Sequence, residues 1–239
     1  MNPSRNRVIA LLHDPQDMPN RCTDWLAAAG YEVVAACPAA GEPIPELDGA
    51  TAGVVIFGGR YDVALKGELP FLRAELVFIE DVLRRDLPYL GLCLGAQLLA
   101  DVLGEMVGPH PRGHAEYGYY DLIPTAEGRA FIGASSLKVL QSHWHGWYRT
   151  PAGATLLAFS AAFPQQAFRY CSSAYGLQFH PEATRATLSR WISRRPAERH
   201  FLQGAHPPER QLADHLAYDA ALGTWFSEFL SRWIGPAPT

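Results

Sequence analysis

Apolar positions along the chain come in short unbroken runs separated by amphipathic stretches, the pattern of buried strands alternating with surface helices. Residues 8–12 (Val-Ile-Ala-Leu-Leu) form a continuous apolar run of strand length, 24–30 reads as a helix closed by Gly30, and 31–36 as a second strand. A third buried strand, 53–57, ends in Gly58 and Gly59, and 68–85 carries Leu72, Leu76, Ile79 and Leu83 at helical spacing. Residues 88–92 are a further strand ending at Cys93, and 94–103 a helix stopped by Gly104. This half predicts an α/β fold, a parallel sheet with crossover helices. The middle changes character: 117–123, 137–141, 155–159, 167–170 and 175–179 are short strand-like runs broken by Pro, Gly and Ser, which predicts antiparallel additions. Helices return at 183–194 and 209–234, the latter with Leu212, Leu216, Leu222, Phe226, Phe229 and Trp233 on its apolar side. Segment 195–208, rich in Pro, Arg and His, is expected to be a loop.

Length and composition narrow the class. At 239 residues, 48% hydrophobic and 18% charged, the chain is expected to be one compact enzyme domain, 1–239, with a full core. A net charge of -4 without a long basic run points to a small ligand and away from nucleic acid. Cys22, Cys37, Cys93 and Cys171 are widely and irregularly spaced, as free thiols in a reducing cytosol would be. The apolar run 8–12 is too brief for a signal or a membrane span, so a cytoplasmic protein is expected.

Cys93 stands directly after an apolar strand and directly before a helix, and ligands of open parallel sheets bind at such strand ends. Gly91 and Gly95 permit a tight turn, the following helix N-terminus favours a thiolate, and the Leu94 N–H would point at the same spot. Position alone leaves two readings open, a nucleophile or a buried structural cysteine.

Gly91-Leu-Cys-Leu-Gly-Ala-Gln97 resembles the G-x-C-x-G-x-Q signature of class I (triad) glutamine amidotransferases. Downstream, Tyr175-Gly-Leu-Gln-Phe-His-Pro-Glu182 resembles that family's G-x-Q-F-H-P-E segment. The likeness spans roughly 8–234 and lies near stand-alone proteins similar to the glutaminase domain of GMP synthetase. It implies a flavodoxin-like three-layer sandwich: a mostly parallel central sheet, helices on both faces and a small antiparallel addition. It also implies a Cys93 nucleophile, His180 as the base that later protonates ammonia, and Glu182 as the carboxylate that orients the imidazole.

The remaining roles come with the same resemblance. The Gly59 amide joins Leu94 as oxyanion donor, with Gly58 beside it in a loop where Arg60 stands in place of the family's usual proline. Gln97 holds substrate. Leu140-Gln-Ser-His-Trp-His-Gly-Trp147 resembles the loop that grips the amino-acid end of glutamine, aligning Trp144, His145 and Gly146. Trp147 replaces the expected aspartate, so contacts of that side chain are not expected to carry over. A metal site of His143 and His145 with His110 or His114 is a rival reading, but no carboxylate or cysteine completes a ligand spacing, so no metal is expected. The aromatic run 115–120 reads either as a pocket mouth or as an amphipathic strand.

The implied reaction is hydrolysis of the glutamine γ-amide through a thioester, without a cofactor. The ammonia goes to a synthetase partner bound in trans, or the protein acts alone on γ-glutamyl conjugates. Neither Gly58 nor Gly91 is followed by the Lys-Ser/Thr pair of a phosphate loop. A catalytically silent regulatory module with the same fold is the reading from another class.

Overall fold

The computed structural model describes residues 5–133 and 136–238. In chain order the elements are β1 (Arg7–Leu11), α1 (Arg21–Ala28), β2 (Glu32–Ala36), β3 (Thr51–Ile56), α2 (Pro70–Arg84), β4 (Tyr89–Leu92) and α3 (Leu94–Val102). There follow β5 (Val107–Pro109), β6 (Glu116–Pro124), α4 (Arg129–Ile132), β7 (Leu137–His143), β8 (His145–Trp147), β9 (Ala154–Phe159), β10 (Ala167–Tyr170), β11 (Ala174–Leu177), α5 (Arg185–Arg194) and α6 (Pro208–Trp233).

Nine strands form one sheet in the order β2-β1-β3-β4-β11-β10-β9-β6-β7. Strands β2, β1, β3, β4 and β11 are parallel, a 2-1-3-4-5 flavodoxin-like order, and β10, β9, β6 and β7 extend it antiparallel. A separate antiparallel pair, β5 with β8, stands beside it. The unbroken apolar runs reflect burial on both faces. In β1, Val8 and Ala10 join α1 and α6 residues such as Leu26, Phe226 and Phe229 on one face. Ile9 and Leu11 join Leu72 and Ile79 of α2 and Leu98 of α3 on the other. Each of these side chains larger than alanine, fully buried, stabilises by about 1.5–3 kcal/mol relative to exposure.

Several expectations need correction. Run 175–179 was expected among the antiparallel additions, yet β11 pairs parallel with β4, Tyr175 opposite Leu90 and Leu177 opposite Leu92. Both strands are buried, and a sequence run carries no sign of strand direction. Helix α1 begins at Arg21, not at residue 24, because the Asn20 side chain accepts from the Cys22 and Thr23 amides and closes a capping box. Along α6 the apolar side holds from Leu222 to Trp233, but Leu216 is 72% exposed. The first half of α6 instead buries Gln211 and His215, the latter hydrogen-bonded at 2.9 Å to the Tyr119 hydroxyl. The expected loop 195–208 contains a 3-10 turn, Ala197–Phe201.

Candidate functional site

Strand register collects the site. Ile56 of β3 lies opposite Gly91 of β4, and Leu177 of β11 lies opposite Leu92. The residues that follow these three strand ends, Gly58, Cys93 and His180, therefore emerge at one edge. The Cys93 amide donates to the Leu177 carbonyl at 2.8 Å, and a Cβ placed on Gly58 would meet His180 Cε1 at 2.6 Å and Cys93 Cβ at 3.3 Å.

Cys93 takes φ 49° and ψ -102°, a left-handed conformation uncommon for a side-chain-bearing residue, at the position capping α3. The surroundings enforce this strain. A Cβ on Gly91 would lie 2.5 Å from the Gly95 backbone, and one on Gly95 would lie 2.1 Å from the Ile56 carbonyl oxygen. The strand and helix thus meet backbone to backbone, and the thiol stands at the first turn of the helix. Leu94 is the first residue of α3, so its N–H has no partner within the helix. Among the described residues neither it nor the Gly59 N–H donates to a protein acceptor.

His180 Nδ1 lies 2.8 Å from Glu182 Oε1, with both side chains nearly enclosed and Trp191 packed edge-on to the imidazole at 4.5 Å. Burial works against an imidazolium here. The Glu182 carboxylate and the Cys93 thiol outweigh it, and His180 is pushed up to about 10. The backbone between the two residues is fixed from outside: Arg21 donates to the Pro181 carbonyl at 2.5 Å and to Asp219 at 2.7 Å, and its amide donates to the Glu182 carbonyl at 3.1 Å.

A histidine whose folded pKa exceeds its unfolded value near 6.5 contributes stability that is fully present below about pH 6.5 and is lost as pH rises through about 10. Urea midpoints of the wild type and His180→Asn are therefore expected to converge as pH is raised across that window. A gap that is constant or widens with pH would contradict this.

Gln97 is buried, and its side-chain amide donates to the His145 carbonyl at 3.1 Å and to Gln178 Oε1 at 3.2 Å. Gln178 in turn donates to Cys93 Sγ at 3.5 Å. The chain of contacts ties α3, the residues after β11 and the 144–146 segment together, a segment expected as a loop whose His145 and Gly146 instead lie in β8, paired with β5. Within that segment the Trp144 carbonyl accepts from the His110 amide, the His145 ring meets Asp62 at 3.1 Å, and Gly146 packs on Phe163. Burial lowers the pKa of His145 and outweighs the opposing Asp62 carboxylate. Trp147 is wholly buried against Phe168, a core residue outside the site.

The rival histidine set is otherwise engaged. His143 gives Nδ1 to the His145 carbonyl and Nε2 to Glu116, His110 Nε2 bonds the Ala162 carbonyl, and among the described residues no three metal-binding side chains converge. The aromatic run 115–120 falls in β6 from Glu116 onward, with its faces divided. Tyr119 packs toward α6, and Tyr117 lies near enough to Cys93 for the thiol to help burial raise its hydroxyl pKa.

Sequence reasoning passed over several residues here. Arg195 stacks on the Tyr117 ring at 3.8 Å and Arg199 on the Trp144 ring at 4.5 Å, bringing segment 195–208 beside the site. Gln178 lay inside the quoted His180 motif, but only the fold shows it reaching Cys93. His13 meets Glu75 through one ring nitrogen and the Gly58 carbonyl through the other, and no local motif marks the pair.

The family model described as Glutamine amidotransferase class-I matches residues 25–194. The chain is 29% identical over 184 residues to the glutamine amidotransferase-like protein YfeJ of Salmonella typhimurium, covering 74% of this chain and 76% of that one. It is 33% identical over 159 residues to one of the subunits of the glutamine-hydrolyzing GMP synthase of Thermococcus kodakarensis, covering 65% of this chain and 80% of that one. A crystal structure of a glutamine amidotransferase from Thermotoga maritima superposes with a TM-score of 0.84 at 27% identity, covering 96% of this chain and 98% of that chain.

Proposed function

Because the chain belongs to the class-I glutamine amidotransferase family, we propose that it hydrolyses the γ-amide of glutamine through a thioester on Cys93. The observation that carries this reading is the strained Cys93 at the first turn of α3, beside the enclosed His180–Glu182 pair. The Cys93 thiolate attacks the γ-carbon, and the resulting oxyanion accepts hydrogen bonds from the Gly59 and Leu94 N–H groups. The oxyanion collapses, the carbon–nitrogen bond breaks, and the imidazolium of His180 gives its proton to the departing ammonia. His180 then takes a proton from water, whose oxygen attacks the thioester to yield glutamate and free thiol. Glu182 holds the ring and stabilises the imidazolium throughout. The scheme uses no metal or cofactor.

The test is release of glutamate and ammonia from glutamine and from a panel of γ-glutamyl amides, by the protein alone and with candidate synthetases added. Turnover of any of these supports the reading. Protein inert to all of them would leave a silent module with the same fold.

A second reading, a lone hydrolase of γ-glutamyl conjugates, is favoured by segment 195–208, through which the chain covers the flank of its own site at Tyr117 and Trp144. Partner-free hydrolysis of conjugates faster than of glutamine would select it. Stimulation of glutaminase by a synthetase would select a subunit working in trans.

On either reading we assign Arg199, stacked on the Trp144 ring of the segment that resembles the glutamine-gripping loop, to the substrate carboxylate. Arg199→Ala is expected to raise KM about 3- to 10-fold with kcat little changed, the pattern of lost ground-state binding. An unchanged KM in steady-state kinetics would remove Arg199 from that role.

A further inference from the structure

His13, just beyond β1, and Glu75, on α2, face each other with both side chains wholly enclosed, His13 Nε2 at 3.0 Å from Glu75 Oε2. The other ring nitrogen, Nδ1, lies 3.0 Å from the Gly58 carbonyl oxygen. A carbonyl only accepts, so Nδ1 carries the proton in this bond. The Gly58 carbonyl and the Gly59 N–H are the two ends of one trans peptide and point in opposite directions. The bond from His13 therefore fixes the Gly59 N–H on the side away from the His13 ring. A flipped peptide would set the Gly59 N–H against the Nδ1–H, two donors facing each other in a buried place.

The loop has need of such a hold. Arg60 supplies none of the restraint of a proline, and its guanidinium lies out over the Tyr61 ring at 5.5 Å. His13 and Leu94 pack against Gly59, where a Cβ would meet them at 2.7 and 3.0 Å. Tyr61 and Phe71 meet edge-on at 4.9 Å and flank the His13 ring.

We propose that the buried His13–Glu75 pair is a positioning device that locks the Gly58–Gly59 peptide, so that the Gly59 N–H is set as the second oxyanion donor before substrate arrives. The proposal rests on the reading of this site as a cysteine hydrolase. Burial disfavours a charged His13, but Glu75 and the bonds to Glu75 and Gly58 outweigh it and raise the ring's pKa.

Removing a preorganised oxyanion donor lowers kcat by about 10²- to 10³-fold, and a donor left in place but free to turn away is expected to lose about 10- to 100-fold. The test compares His13→Ala and Glu75→Leu with the wild type in three readouts: kcat, KM and the rate at which iodoacetamide alkylates Cys93. Alkylation displaces iodide directly and forms no oxyanion, so it reports the thiol and the fold without the hole. The expected result is the loss in kcat, with KM and the alkylation rate within about 3-fold of wild type. Unchanged kcat, or alkylation that falls in step with kcat, overturns the proposal.

A measurement on the intact wild type guards against variants that do not fold. Nitrogen-15 resonances of the His13 imidazole are expected to show a protonated Nδ1 at neutral pH, and a bare Nδ1 would overturn the proposal whatever the variants do. Wild-type protein without turnover would sink the hydrolase reading and this inference with it. Active wild type with equally active variants would overturn this inference alone.

Discussion

Cys93→Ser is expected to lower hydrolysis of the preferred γ-glutamyl amide by about 10⁴-fold or more while leaving the protein folded. A serine hydroxyl holds its proton at neutral pH far more tightly than a thiol. The His180–Glu182 pair, built to stabilise an imidazolium next to a thiolate, does not make up that difference. The replacement changes one buried atom, and the bond from the residue 93 amide to the Leu177 carbonyl survives it. The same substitution removes a cause of the raised His180 pKa, so that residue's titration is expected to move down. Steady-state kinetics beside a thermal melt check both halves. Retention of more than about one per cent of wild-type kcat would deny Cys93 its role.

The second large effect lies two residues further along. Gly95→Ala places a methyl 2.1 Å from the Ile56 carbonyl oxygen and 2.8 Å from its carbon, contacts with strand backbone that no rotamer change relieves. Overpacking of this kind commonly destabilises by about 1–3 kcal/mol, and a clash with main chain belongs at or above the top of that range. Relief must come from helix α3 backing away from β3, which carries Cys93 and the Leu94 N–H out of register with Gly59. Activity is therefore expected to fall more than 100-fold even in the folded fraction, since misplacement by about 1 Å can lower a rate by 10²-fold. Gly67→Ala is the control, because nothing lies within 4 Å of a Cβ there. Denaturant midpoints and kcat of the two variants test the contrast, and a Gly95→Ala protein as stable and active as Gly67→Ala would refute it.

How much of this was legible in the chain follows from how local each signal is. Strand runs buried on both faces, such as residues 8–12, announce themselves because no polar position interrupts them. The turn around Cys93 is equally legible, since the glycines that allow the close approach sit within two residues of the thiol. The direction of β11 was not, because parallel and antiparallel pairing of a four-residue apolar run leave the same composition. That direction is what delivers His180 to Cys93, so the motif named the residue while the sheet alone explained its place. His13 and Glu75 are 62 residues apart and meet only after β1 and α2 have packed. Arg195 and Arg199 sat in a stretch whose prolines and charges suggested an irregular loop, and their stacking on Tyr117 and Trp144 depends on tertiary placement. Leu216 was assigned to the apolar side of α6 by spacing, but that half of the helix faces Tyr119 with His215 instead.

The most direct test of the thioester on Cys93 is to quench the wild-type protein in acid during turnover of glutamine or a γ-glutamyl amide and map the modified peptide by mass spectrometry. The predicted result is a single γ-glutamyl group on Cys93, absent when Cys93→Ser is treated in the same way. Turnover that continues with no adduct on Cys93, or with the adduct on another residue, would contradict it.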